Sequence, residues 1–205
     1  MKNSIHGIIL AGGKSERLGR DKALESFNGK PLISNVISAI REHVNNISIV
    51  VNKNTRKEDL YFLDNVSFIV DKYKNAGSLG GIYSGLEKSP NQNIIVFACD
   101  MPFISGKIVS FMKNNITSKY DIIIPETNGF KHSTHAIYSK NCLPIIKKQL
   151  IKKEYKISKI FDKCNTKILK ENDINKIELN TKSFFNINYD HDLDKANQIL
   201  SNEKN

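Results

Sequence analysis

What this sequence lacks sets its bounds first. No apolar run approaches the ~18 residues of a membrane span, so no segment is expected to cross a bilayer. The first residues run almost directly into an apolar segment, so no signal peptide is expected. Cysteine is scarce: Cys99, Cys142 and Cys164 are odd in number and far apart. They suit a reducing compartment, and so a cytoplasmic protein, rather than a disulfide framework or a zinc site. Acid is short as well, with 21 Asp and Glu against 31 Lys and Arg, a net charge of +10. Nine lysines crowd residues 147–170 against Glu154 and Asp162. Tyr155 and Phe161 are the only aromatic residues among them, too few for a base-stacking groove. A solvated face therefore fits that stretch better than a nucleic-acid interface.

Two nucleotide-binding signatures are missing too. Gly12-Gly13-Lys14-Ser15 imitates the end of a P-loop, but G-x-x-x-x-G-K-[ST] requires glycine at position 8, which is Ile8. G-x-G-x-x-G is also absent, which removes the dinucleotide fingerprint. What remains is a glycine turn after the apolar run GIILA (7–11). Lys14, Arg17, Arg20 and Lys22 follow within ten residues of Gly12. Adjacent glycines let the backbone approach a ligand, and Arg and Lys beside them suit a polyphosphate.

The rest of the chain alternates. Short continuous apolar runs at 7–11, 47–51, 66–71, 93–100, 120–126 and 135–139 predict buried strands, the fifth ended by proline. Helical spacing marks 31–44, 81–89, 106–115, 143–153, 158–163 and 190–202, and FFNIN (184–188) reads as a strand or extended segment. Alternation predicts an α/β fold with a mainly parallel sheet covered on both faces, and ligands at the carboxyl ends of its strands. That draws attention to Gly12, Gly13, Asn52, Asp71 and Asp100. Asp71 and Asp100 each end an apolar run. Each alone is an ordinary turn former. Two carboxylates beside a polyphosphate turn are what Mg2+ needs.

GIILAGGKSERLGRDKAL resembles the LAGGxSxRMGxDKAL signature of the molybdenum cofactor guanylyltransferase family. The resemblance continues through GSLGGIYSGL (77–86), ACDMPFI (98–104), KHSTHAIYSK (131–140) and FFNINYDHDL (184–193), in family order across nearly the whole chain. Leu18, Ser78, Gly80, Ser133 and Tyr189-Asp190 depart from the pattern, the last two within the part the family uses for its pterin substrate.

The resemblance implies a three-layer α/β/α, Rossmann-like nucleotide-diphospho-sugar transferase fold with a mainly parallel mixed sheet. It implies one nucleotidyltransferase domain over 1–205, with 1–104 mainly for GTP and 105–205 mainly for the acceptor. The reaction would move GMP from GTP to molybdopterin carrying molybdenum and release pyrophosphate. Leu10, Ala11 and Gly12 would line guanine and sugar, Gly13 the phosphates, Asn52 would contact guanine, Asp71 the nucleotide or the metal shell, and Gly81 the nucleotide. Arg17 and Lys22 would stabilise the leaving pyrophosphate, and Asp100 would hold Mg2+. His132, His135, Asn186 and Asn188 would lie near the acceptor. Proteins that insert molybdenum or serve molybdoenzymes would be the partners, with the basic 147–170 stretch able to steer them or the anionic acceptor. A cytidylyltransferase or a sugar- or polyol-phosphate nucleotidyltransferase of the same fold is the near alternative. A basic nucleic-acid-binding module and a GTP-binding regulator are more distant ones.

Overall fold

The computed structural model describes residues 4–13, 19–53, 56–179 and 181–202. The first apolar run forms β1 (His6–Leu10). A hairpin follows, β2 (Ser26–Phe27) and β3 (Lys30–Pro31), turning through Asn28 and Gly29, both at positive φ. Such a two-residue turn matches the twist of paired strands. Then come α1 (Leu32–Ile40), β4 (Asn46–Val51), α2 (Arg56–Asp59), β5 (Ser67–Val70), α3 (Gly77–Lys88), β6 (Asn93–Ala98) and α4 (Gly106–Asn114). The second half holds β7 (Ile122–Thr127), β8 (Phe130–Lys131), β9 (His135–Ser139), α5 (Leu143–Ile151), β10 (Thr166–Lys170), α6 (Glu171–Asn175) and α7 (Asp190–Asn202).

The main sheet runs β10-β7-β9-β6-β1-β4-β5, with β8 paired to β7. β1 lies parallel between β4 and β6, and β9 is antiparallel to both β6 and β7. Successive residues of the central strands enter opposite cores. Ile9, Ile95 and Phe97 pack with Ile33, Val36 and Ile40 of α1 and Val109 and Met112 of α4. Ile8, Ile94 and Val96 pack with Leu79, Ile82 and Leu86 of α3 and Ile146 and Leu150 of α5. Both faces are covered, which is why the strands read as continuous apolar runs without alternation. This is the expected three-layer α/β/α arrangement. A third cluster, Phe27, Leu32, Ile187 and Ala196, fastens α7 to the hairpin.

Two expectations change, one is decided between its alternatives, and an unforeseen strand appears at the sheet edge. β7 is not ended by Pro125 but runs through it to Thr127. Proline lacks only a donor, and the Pro125 carbonyl still accepts from His132 N–H at 2.9 Å. Residues 158–163 make no α-helix; a 3-10 turn at Ile157–Ile160 replaces it. Of the two readings of FFNIN, strand or extended segment, the second holds: its first residue closes a 3-10 turn, Lys182–Phe184, Phe185 is extended, and no strand forms. β10 was not foreseen, because TKILK sits at the sheet edge with a half-exposed, mixed pattern.

Candidate active site

β1, β4, β5 and β6 are mutually parallel, so their carboxyl ends share one rim. β9 runs the other way and brings its first residue, His135, to that rim opposite Phe97. Most of the described residues singled out above lie at or just beneath this rim.

Leu10 ends β1, and Ala11 N–H continues the ladder to Val50 O at 2.9 Å. Gly12 lies so close to β4 that a Cβ would stand 3.1 Å from Asn52 N, whereas one on Gly13 would meet nothing within 4 Å. Neither takes a positive φ. Gly12 is thus required by close approach and not by handedness. Asn52 is exposed at the end of β4. Arg17, with Lys14 and Ser15, lies outside the described residues.

Asp71 follows β5. Its N–H donates to Val51 O at 2.8 Å, and its Oδ1 accepts from Tyr73 N–H at 3.0 Å and Ser84 Oγ at 2.9 Å. Burial pushes this carboxyl above the usual carboxylate range, and those two hydrogen bonds pull it back. Asp71 therefore shapes the turn into α3. Gly81 of α3 is buried, and a Cβ there would come 2.8 Å from Leu10 Cδ2. Its place is beneath Leu10, where absence of a side chain lets α3 lie against β1.

The charged centre is formed by Lys22, Asp100 and Asn188. Asp21 caps the 3-10 turn Lys22–Leu24 by accepting from Ala23 N–H at 3.0 Å. That turn points Lys22 Nζ at Asp100 Oδ2, 3.1 Å away, and at Asn188 Oδ1, 2.7 Å away. Asp100 is 9% exposed, and its Oδ1 has no hydrogen-bond partner among the described residues. Burial raises its pKa and Lys22 lowers it again. The Asp100 carbonyl accepts from Ile187 N–H at 2.9 Å, which seats the 184–188 segment on this strand end. Asn186 Nδ2 donates to Phe184 O at 3.2 Å and so shapes that segment.

The two histidines separate. His135 is fully buried between Phe97 and Phe184. Burial drives its pKa down to about 3, the neighbouring His132 adds to this, and a weak contact with the Ser183 backbone opposes it. His132 is half-buried, stacks on Phe184 with ring centroids 4.3 Å apart, and shares a 2.7 Å hydrogen bond between Nε2 and Thr127 Oγ1. Only His132 has surface to offer a ligand.

Arg20, grouped above with the phosphate arms, is bound to carboxylates: its Nε to Glu25 and its Nη2 to Asp190 Oδ1 at 2.6 Å. Asp190 is one of the departures from the family pattern, and it ties the start of α7 to the glycine-turn side. The sequence reading passed over Arg56, whose guanidinium grips both oxygens of Asp21. A lone arginine four residues beyond a strand-end asparagine carries no local signature.

Among the described residues, no group of three or more His, Cys, Asp or Glu could hold a metal through the protein alone. A single orphaned carboxylate oxygen at this strand-end rim does fit a hard cation whose shell is completed by ligand oxygens and water. No helix of the described residues is long and apolar enough to cross a membrane.

A MobA-like NTP transferase domain model matches residues 7–168. The chain belongs to the MobA-like NTP transferase family. Within that family it is 34% identical over 203 residues to a protein of Natranaerobius thermophilus named as a probable molybdenum cofactor guanylyltransferase, covering 98% of each chain. It is 36% identical over 201 residues to one of the same name from Thermococcus sibiricus, covering 95% of this chain and 98% of that one. The crystal structure of molybdopterin-guanine dinucleotide biosynthesis protein A from Archaeoglobus fulgidus superposes with a TM-score of 0.86 at 25% identity, over 97% of this chain and 100% of the other. The MobA-like match spans every site residue named above except Asn186 and Asn188.

Proposed function

We propose that this chain transfers GMP from GTP to molybdenum-loaded molybdopterin, giving the guanine dinucleotide form and pyrophosphate. The names of its relatives supply the reaction, and the convergence of Lys22, Asp100 and Asn188 supplies a place for it. GTP lies along the carboxyl rim, with its base toward Asn52 and Leu10 and its phosphates over Gly13. Lys22 is a compact charge on a flexible stem, so it can pass from Asp100 to the β- and γ-phosphate oxygens and neutralise the departing pyrophosphate. Arg17 is assigned to the same task from the sequence pattern. The orphaned Asp100 Oδ1 would hold Mg2+, which supplies charge neutralisation of the triphosphate when bound. Asp71 and Gly81 shape the nucleotide wall, Asp71 by fixing the entry to α3 and Gly81 by seating Leu10.

The acceptor enters from the side of Asn186, Asn188 and His132. Its terminal phosphate attacks the α-phosphorus in line, and the P–O bond to pyrophosphate breaks. The chain's contribution is positioning and charge. His135 belongs to the packing beneath this surface. The basic second half, with its lysines over 147–170, would draw in the anionic acceptor or an acidic protein that carries it.

Asp100→Ala should lower Mg2+-dependent pyrophosphate release from GTP by at least about a hundredfold when the loaded pterin is supplied. Turnover at the wild-type rate would remove Asp100 from the metal role. CTP or UTP serving as well as GTP would move the chain to the related cytidylyl or sugar-nucleotide chemistry.

A further inference from the structure

Lys22 owes its place to a second ion pair. Asp21 precedes it, and the Asp21 carboxylate does two things at once. Its Oδ1 accepts from Ala23 N–H and so closes the turn that aims Lys22. Both of its oxygens are also held by Arg56: Nη2 reaches Oδ1 at 2.5 Å, and Nη1 is bonded to Oδ2. Arg56 Nη1 is 3.4 Å from Asp59 Oδ2 as well, and its side chain is only 12% exposed. Two parallel N–H···O bonds between guanidinium and carboxylate fix orientation as well as distance. Arg56 is in turn fixed to the end of β4, since its N–H donates to Lys53 O at 3.3 Å, one residue past Asn52.

These contacts form a continuous path: Asn52 and Lys53 at the end of β4, Arg56, Asp21, the Lys22–Leu24 turn, Lys22, Asp100. We infer that Arg56 is a positioning residue that locks the base-binding end of the nucleotide site to its phosphate-binding lysine. The inference rests on the GTP reading given above. A guanidinium this occupied does not itself reach a ligand; it acts through Asp21. Without it, the Asp21 carboxylate loses the anchor that keeps its cap in register with β4, so the bond to Ala23 N–H opens more often and Lys22 loses its aim. The loss falls first on the nucleotide: the acceptor segment gives up the Lys22–Asn188 contact but keeps its anchor from Ile187 N–H to the Asp100 carbonyl.

The test compares Arg56→Gln, Asp21→Asn and the double variant. Arg56→Gln should raise the KM for GTP by about tenfold, in the range typical for partners that orient a ligand-binding group, and leave the KM for the pterin within about twofold. The double variant should be no worse than the poorer single one, because both remove the same link. Arg56→Lys, which keeps charge but not the two-pronged grip, should fall between. Amide exchange of Ala23 should quicken in Arg56→Gln while that of β6 is unchanged. This second readout needs no substrate, so it decides the clasp even if the chain shows no turnover of GTP, a result that would overturn the proposed reaction alone. A wild-type KM for GTP in Arg56→Gln, equal losses for GTP and pterin, losses that multiply in the double variant, or unchanged exchange at Ala23 would each overturn the inference.

Discussion

A Cβ on Gly12 would press on the backbone of Asn52 at 3.1 Å, and one on Gly13 would enter open space. A backbone neighbour cannot rotate away as a side chain can. Gly12→Ala should therefore cost about 1–3 kcal/mol of stability by forcing β1 and β4 apart at the rim. Gly13→Ala should stay within about 0.5 kcal/mol of the parent. Urea unfolding of the two variants measures this, and equal losses would contradict it. The glycine pair itself was legible in the sequence, and so were Lys22 and Asp100 as candidates, which the fold brings within 3.1 Å of each other. The pairing of the basic residues was not. Arg20 and Lys22 have the same local character, yet one is tied up by Glu25 and Asp190 while the other faces Asp100 and Asn188. Those partners lie up to 170 residues away, and no local pattern records them.

α3 meets the sheet through glycines. A Cβ on Gly85 would stand 3.0 Å from Ile8 Cγ2, and one on Gly81 2.8 Å from Leu10 Cδ2. Ile8 is fully buried in the middle of β1, so Gly85→Ala has nowhere to send it and should lower stability by about 1–3 kcal/mol. Leu10 is half-exposed at the rim, so Gly81→Ala can turn it aside. That variant should keep most of its stability and weaken GTP instead, because Leu10 is the proposed guanine wall. Thermal melting beside GTP titration separates the two, and matching profiles would refute the distinction. The central elements were readable because strands buried on both faces leave unbroken apolar runs. The peripheral ones were not. β10 pairs only with β7 and presents lysines at positions 167 and 170, and the 184–188 segment is held by single hydrogen bonds such as Ile187 to Asp100 and by aromatic packing.

Across the whole molecule, three histidines sit neutral inside the fold. His6 of β1 shares hydrogen bonds with Ser48 of β4 and Ser89 at the end of α3, and burial lowers its pKa, as it does for His132, while His135 is driven to about 3. The ordinary value is 6.5, so below that pH the unfolded chain takes up protons that the folded chain refuses. The stabilisation these groups confer is complete above pH 6.5 and is lost as pH falls through each lowered value, which for His135 is about 3. Each such group can steepen the loss by up to about 1.4 kcal/mol per pH unit. Unfolding free energies measured between pH 8 and 5 should fall below 6.5, and His135→Phe should make the fall shallower. An unchanged slope in that variant would show that His135 is not neutral in the fold.

The charged centre also has a consequence in time. Asp100 and Lys22 are synthesised in the first half of the chain, but the amide that fixes the Asp100 carbonyl belongs to Ile187 and the second partner of Lys22 to Asn188. On the ribosome, β1, β4, β5 and β6 can pair and bury their core well before these groups emerge. A nascent chain would then hold a folded nucleotide half whose reactive corner is still open on one side, and catalytic competence would arrive late and abruptly, with the segment just ahead of α7.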